Sequence, residues 1–321
     1  MGRHVAGECP QLDRLVDEAC ASIGREVAAM KIPRLAGVVL GGGYGRGEGG
    51  AVGSRLSNDL DFFAITESGA PEAEALPAIA TALEPVSKKW TAELGVDVDF
   101  AVKTPWRLKH DEERLMVQEL LRGHFDVCGE RGEALFAGIR LIDAAELPGS
   151  EAVRLLMNRG MGLLFAKEKE GAGGAASGDF INRNINKCVL GVGDARLIAK
   201  GAYRWKAQDR AAALGDALYS AAVEWKFRPK AEPVCDWETA REVWLKAEEE
   251  VTRSSRQTRS SSSSSRTLRS AVRWLVRRRT LGELSTFGLA PELRVLRCVS
   301  AAIRERRGVT PSLRRDWEIF N

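Results

Sequence analysis

Two short strings in this chain carry an acid at every second position. In "SNDLDFFAI" the acids are Asp59 and Asp61, and in "GVDVDFAV" they are Asp97 and Asp99. Alternate residues of a strand share a face, so each string reads as a strand with an acidic front. Leu60 and Phe62 back the first pair; Val96, Val98 and Phe100 back the second. Carboxylates packed side by side repel unless something positive lies between them. Magnesium, a hard ion that prefers carboxylate oxygen, is the economical answer. Two such ions about 4 Å apart can clamp the attacking and leaving oxygens of an in-line phosphoryl displacement.

Just upstream, "GGGYGRGEGG" places seven glycines in residues 41–50, directly after the apolar run "LAGVVL". A structural turn needs one or two glycines, whereas a loop that lets backbone N–H groups approach a phosphate needs more. A P-loop would require G-K-[ST], which is absent. A kinase lid would be followed by a V-A-I-K lysine, H-R-D and D-F-G, none of which occurs. A dinucleotide loop should open a helix, and "GEGGAVGSRLSN" is a poor helix former, although an acid follows at a suitable distance.

The glycine string followed by "NDLDFF" resembles the active-site signature of the polymerase-β-type nucleotidyltransferase superfamily. Residues 42–48 are similar to the glycine loop of the bacterial protein uridylyltransferase subgroup, and the helical C-terminal half is similar in outline to antibiotic-type nucleotidyltransferases. The chain departs from that subgroup in its spacer. Fifteen residues separate Gly43 from Asp59, and the extra "GGAVGSRLS" reads as a surface bulge. The resemblance implies an α/β (α+β) nucleotidyltransferase domain with a mixed sheet, followed by a mainly α-helical domain. It implies that Gly42 and Gly43 admit the triphosphate, and that Asp59, Asp61 and Asp99 are the catalytic acids and hold two Mg2+ ions, with Asp97 the alternative third acid. Arg46 would meet a phosphate oxygen and Tyr44 would stack or donate a hydrogen bond; simple solvation and packing are the competing readings.

The implied reaction moves a nucleoside monophosphate from an NTP to a hydroxyl of a small-molecule acceptor, releasing pyrophosphate. Alternatives are nucleotidylylation of a protein side chain, an RNA- or oligonucleotide-directed enzyme, and a non-catalytic nucleotide-binding relative. Nothing in the sequence chooses among ATP, UTP, CTP and GTP.

These residues need elements to position them. The spacing predicts a helix over 10–30, strands at "LAGVVL", "DLDFFAI" and "VDVDFAV", helices near 77–94 and 112–122, and extended pieces at "FDVCGE" and "IRLID". Long amphipathic helices follow from residue 150, broken by "EKEGAGGAASGD" (168–179), which reads as a mobile loop. Strands early and helices late suggest a catalytic domain over 1–149 and a helical nucleotide and substrate domain over 150–250. Arg183, Lys187 and Asp194 fall on one helix face, with Lys187 the candidate for the β- or γ-phosphate and surface snorkelling the alternative. Asn158 and Arg159 interrupt an apolar helix and could face the cleft, whereas Met157, Met161 and the tryptophans at 205, 225, 237 and 244 read as packing.

A Ser/Arg tract at 251–270 reads as a linker, followed by a basic helical segment over 271–321. From Val251 onward there are 16 Arg, 5 acids and no Lys, a net +11 that leaves −7 on the first 250 residues of a chain whose total is +4. "RTLRSAVRWLVRRRT" (266–280) can form a basic amphipathic helix that docks on the acidic remainder, or binds RNA or an anionic membrane. "LRVLRCVSAAI" reads as a further buried helix.

At 321 residues, 44% hydrophobic and 29% charged, the composition is that of an ordinary globular protein with room for two cores. No run approaches the roughly 18 apolar residues of a membrane span. Six scattered cysteines without a C-x-x-C pair argue for a reducing, cytoplasmic setting, and three histidines in no metal-type cluster argue against a His-based zinc enzyme.

Overall fold

The structure is a computed structural model that describes residues 2–7, 9–170, 175–257 and 291–319. It divides into two units, Met1–Asp143 with Lys226–Lys230, and Ala144–Trp225 with Ala231–Asn321.

The first unit opens with α1 (Pro10–Met30), which carries proline in its first turn and buries Leu12, Val16, Ala19, Cys20, Ile23 and Val27 at three- and four-residue spacing. There follow β1 (Leu35–Leu40), the single turn α2 (Gly42–Gly45), a hairpin of β2 (Ala51–Val52) and β3 (Arg55–Leu56), and β4 (Leu60–Thr66). Then come α3 (Glu72–Leu94), β5 (Val98–Lys103), α4 (Pro105–His110), α5 (Leu115–Arg122), β6 (Phe125–Gly129) and α6 (Gly132–Leu135). The four-stranded sheet has the order β5-β4-β1-β6. It is mixed: β4 and β5 run parallel, joined by α3 as their crossover, while β1 is antiparallel to both β4 and β6.

Both faces of the sheet are covered. Val38, Leu40, Phe62, Ala64 and Val98 pack with residues of α1 and α3, and Val39, Phe63 and Ile65 pack with Leu108, Val117 and Leu120. This two-sided burial is why "LAGVVL" and "FFAI" are continuous apolar runs. The acidic alternation is therefore confined to the first residues of β4 and β5.

Three local expectations shift. Helix α3 starts at Glu72, more than a turn before Pro77, with Pro77 and Pro85 inside it and acids Glu72 and Glu74 in its first turn. "IRLID" is not a strand; the buried Gln118 side chain donates to the Arg140 carbonyl (2.8 Å) and accepts from the Ile142 N–H (3.0 Å), taking the place of a strand partner. The breaker at 168–179 shortens, because one helix runs to Glu170 and the next starts at Ala175; residues 171–174 lie outside the described residues.

The second unit is helical: α7 (Gly149–Glu170), α8 (Ala175–Ala199), α9 (Ala207–Leu214), α10 (Ala217–Phe227, of which Lys226 and Phe227 fall in the first unit), α11 (Trp237–Gln257), α12 (Pro291–Arg304) and α13 (Pro311–Glu318). Helix α7 is central, with Met157 and Met161 fully buried. At Gly160 the absent side chain lets Trp244 and Val299 close on α7, where a Cβ would be 2.7 Å and 2.5 Å from them. The indoles of Trp244 and Trp237 donate to the carbonyls of Leu156 and Leu163, both at 2.9 Å, as packing anchors.

The tract read as a linker from Val251 begins inside α11. Val251 is fully buried and completes the stripe Trp237, Ala240, Trp244, Ala247, Val251, whose three- and four-residue steps carry the helix on to Gln257. The rest of that tract and the basic helix expected at 266–280 lie outside the described residues. "LRVLRCVSAAI" forms most of α12, burying Val295, Leu296, Val299, Ala302 and Ile303. Among the described residues no helix is long and apolar enough to cross a membrane.

Candidate active site

The site is built where β1 hands over to the glycine turn. Gly45 N–H donates to the Gly41 carbonyl (2.8 Å), closing α2, and Gly41 N–H donates to the Asp61 carbonyl (2.8 Å), tying the turn to β4. Gly42 has φ +60°, the left-handed region that glycine enters at no steric cost. A Cβ there would overlap Asp61 Oδ2, so the Asp61 carboxylate lies directly against the Gly42 backbone. Gly43 is different. A Cβ on it would touch the Glu48 carbonyl at 3.4 Å, an ordinary contact, and its φ is not positive.

The parallel register of β4 and β5 sets Asp61 opposite Asp99, with Phe62 and Phe100 stacked at 5.1 Å on the other face. Asp59 and Asp97 each stand one residue before their strand instead of on it; the Asp97 carbonyl accepts from Leu60 N–H at 2.8 Å. The Asp99 carboxyl is pushed above its ordinary value by desolvation, then by the negative charges of Asp59 and Asp97. Asp99 thus lies within electrostatic reach of Asp59 and Asp97, and the register sets Asp99, not Asp97, level with Asp61.

Among the described residues no three His, Cys, Asp or Glu side chains stand together as a ready-made cation site. Like-charged carboxylates hold apart when no cation draws them in. The case for a metal therefore rests on the donor chemistry: acidic oxygen ligands on neighbouring strands, one of them destabilised by its neighbours' charge. That set suits a hard divalent ion and offers nothing to a soft one.

Several residues expected at the nucleotide have other work. Tyr44 is fully buried; its hydroxyl donates to the Gly50 carbonyl (2.8 Å) and accepts from the N–H groups of Ser57 (3.2 Å) and Asn58 (3.3 Å). Those partners are the two feet of the β2–β3 hairpin, so Tyr44 closes the long spacer and is not presented to a nucleotide. The spacer itself folds as that hairpin, with Val52, Gly53, Ser54 and Arg55 exposed. Arg46 is also redirected. Its guanidinium lies 3.1 Å from Glu119 and 3.7 Å from Glu48, mostly buried, in a pairing within the first unit.

Lys187 is exposed on α8, between the buried Asn186 and Cys188, and belongs to the second unit. Its expected companions are engaged there: Arg183 with Asp179 at 2.8 Å, and Asp194 with Arg210 at 2.9 Å and with the Tyr219 hydroxyl. Asn158 accepts from the Trp317 indole at 2.8 Å, and the Arg159 stem packs over Gly191, so both are part of the helical packing.

The sequence reading missed His4, Asn58, Glu48 and Lys226. The buried His4 ring spans the Tyr44 carbonyl (3.2 Å) and Asp17 (3.0 Å), while the His4 carbonyl accepts from Gly49 N–H at 3.0 Å. Asn58 accepts from Gly50 N–H. Glu48 was visible as the one acid inside the glycine string; nothing in the sequence marked the others.

No family model matches the chain, and no protein of curated function matches its sequence. The geometry of the acids and the glycine turn therefore carries the functional argument.

Proposed function

We propose that the first unit is the catalytic domain of a metal-dependent nucleotidyltransferase, an enzyme that moves a nucleoside monophosphate from a nucleoside triphosphate to a hydroxyl of a small-molecule acceptor. The observation that carries this reading is the seating of the Asp61 carboxylate against Gly42 while the β4–β5 register sets Asp99 beside it. The Gly41 N–H to Asp61 carbonyl bond ties that turn to the strand bearing the carboxylate pair, which supports a site where the turn admits phosphate and the pair binds a hard cation.

In this reading Asp59, Asp61 and Asp99 hold magnesium, which when bound neutralises phosphate charge and eases deprotonation of the acceptor hydroxyl. Gly43 offers backbone without a side chain to the triphosphate. Asp99, on the outer strand of the sheet, stands nearest the acceptor and orients its hydroxyl. The acceptor oxygen bonds to the α-phosphorus as the bond from that phosphorus to the bridging oxygen breaks, and pyrophosphate leaves. Positioning and electrostatics carry most of such a transfer. Six free thiols support a reducing, cytoplasmic setting.

The test offers each α-labelled triphosphate with magnesium to the pure protein and a crude lysate. Label on a small molecule, lost in Asp61→Asn, supports the proposal; label on a protein or RNA moves the acceptor class. Absence of transfer with all four triphosphates, or equal pyrophosphate release by Asp61→Asn, overturns it.

A further inference from the structure

Glu48 is 2% exposed, and its carboxylate lies three residues past the end of α2. A buried carboxylate is strongly unfavourable unless cations pair with it. Lys226 Nζ is 2.8 Å from Glu48 Oε2, Arg46 Nε is 3.7 Å from the same oxygen, and Arg46 Nη1 is 3.1 Å from Glu119 Oε2. Charges therefore alternate along Glu119, Arg46, Glu48 and Lys226, with no side chain more than 19% exposed.

The backbone of Glu48 does something separate. Its N–H donates to the Gly43 carbonyl at 2.8 Å, and the same carbonyl accepts from Arg46 N–H at 3.2 Å. Because a trans peptide is planar, fixing the Gly43 carbonyl fixes the whole peptide between Gly43 and Tyr44. The residue that sets this plane is the one whose side chain Lys226 holds.

Lys226 stands 178 positions from Glu48 in sequence. The stretch Lys226–Lys230 belongs to the first unit, although the chain on either side of it belongs to the second. The Lys226 carbonyl also lies against Gly50, where a Cβ would overlap it. The glycine loop is gripped at two points by one returning residue.

We infer that Lys226 is a positioning residue for the glycine loop: it anchors Glu48, and through the Glu48 N–H it sets the Gly43 peptide that meets the triphosphate. The part concerning the triphosphate rests on the nucleotidyltransferase reading. A buried ion pair is no better a stabiliser than a well-packed apolar pair, so fixing geometry accounts for the network where stability alone does not.

The test uses the full chain as wild type, Lys226→Met, Lys226→Arg, and the double variant Glu48→Gln with Lys226→Met. Amide exchange over residues 41–50 is read in the absence of nucleotide, alongside melting temperature and KM for magnesium–ATP, or for whichever triphosphate proves to be the substrate. Lys226→Met should exchange at least tenfold faster in the loop with the β4–β5 amides unchanged, and raise KM about as much; Lys226→Arg should match wild type. The double variant leaves no lone buried charge, so it should recover melting temperature while loop exchange and KM stay raised. If KM and exchange recover together with the melting temperature, or if loop exchange never differs from wild type, Lys226 serves stability alone and the inference is overturned. Should Lys226→Met fail to fold, the double variant and Lys226→Arg decide the same question. Exchange is measured without turnover, so a wild type that transfers no nucleotide would sink the catalytic reading and leave this result standing.

Discussion

Gly42 and Gly43 are neighbours with opposite structural demands, and exchanging each for alanine separates what the fold needs from what the chemistry needs. Gly42→Ala forces a side chain into the left-handed region at φ +60°, which costs about 1–2 kcal/mol. Reduced freedom of the unfolded chain returns about 0.4–1 kcal/mol of that. The new Cβ would also overlap Asp61 Oδ2, so the carboxylate must move away from its seat beside Asp99. The two backbone terms net a loss of about 0–1.6 kcal/mol, to which the displacement of Asp61 adds, so the melting temperature should fall by several degrees, at about 2–4 °C per kcal/mol for a unit of this size. Moving a catalytic carboxylate by about 1 Å can cost on the order of a hundredfold in rate, so kcat should fall by about that factor. Gly43→Ala meets only the 3.4 Å contact with the Glu48 carbonyl, and its melting temperature should stay within about 2 °C of wild type. If this turn meets the triphosphate as proposed, a side chain at Gly43 hinders the approach of phosphate to its backbone, so KM for the triphosphate should rise with kcat less affected. Thermal melts and steady-state pyrophosphate release read both variants. A Gly42→Ala protein with wild-type melting and kcat would refute the seating of Asp61. A fully active Gly43→Ala would show that this glycine does not meet the nucleotide.

Asp61→Asn and Asp99→Asn should each abolish transfer, and Asp99→Asn should melt in EDTA at or above the wild-type temperature, because it removes a negative charge that Asp59 and Asp97 repel. Asp13 tests the N-terminal segment: burial pushes its carboxyl up, but N–H donation from His4, Val5 and Arg3 outweighs this and holds it below the usual 3.8. A depressed carboxyl stabilises above its unfolded value and loses that contribution as pH falls through the folded one. Limited proteolysis should therefore find residues 2–7 released as pH drops below 3.8, and released at pH 7 in Asp13→Ala with a loss of about 2 kcal/mol. Deleting residues 291–321 removes α12 and its five buried apolar side chains at Val295, Leu296, Val299, Ala302 and Ile303. At about 1.5–3 kcal/mol for each of the four larger side chains, the loss rivals the whole stability of a domain, so the truncated protein should bind ANS and lose its cooperative melt.

The helices were legible in the sequence because three- and four-residue spacing survives any tertiary context, as α1 and α7 show. Their ends were less so. Proline's preference for a first turn drew the start of α3 to Pro77, and a run of serines drew the end of α11 back to Val251, where the apolar stripe in fact continues. The acids were visible through their alternation, but the register that sets Asp99 level with Asp61 depends on how α3 returns the chain, which no local pattern encodes. Tyr44 and Arg46 stayed open between a nucleotide and a structural role for a related reason. Both types are at home beside a nucleotide, and what commits them elsewhere, the hairpin feet for one and Glu119 for the other, comes from distant parts of the chain.

The glycine count that first draws attention to residues 41–50 mostly answers to the protein's own packing. Gly41 leaves room for Phe63 and Leu120, Gly49 for the Tyr44 ring, and Gly50 for the Lys226 carbonyl, while Gly45 sits against the carbonyls of Leu40 and Gly123. A glycine-rich string can therefore arise wherever a turn is threaded between buried elements, and richness alone says little about a ligand. The informative glycine is the one the fold does not require. Within this loop that is Gly43, whose neighbours would accept a methyl group and whose peptide is nonetheless held by Glu48 and Arg46. The same division separates the acids. Asp194 is absorbed into a pair with Arg210, whereas the Asp99 carboxyl is raised by desolvation and by the charges of Asp59 and Asp97.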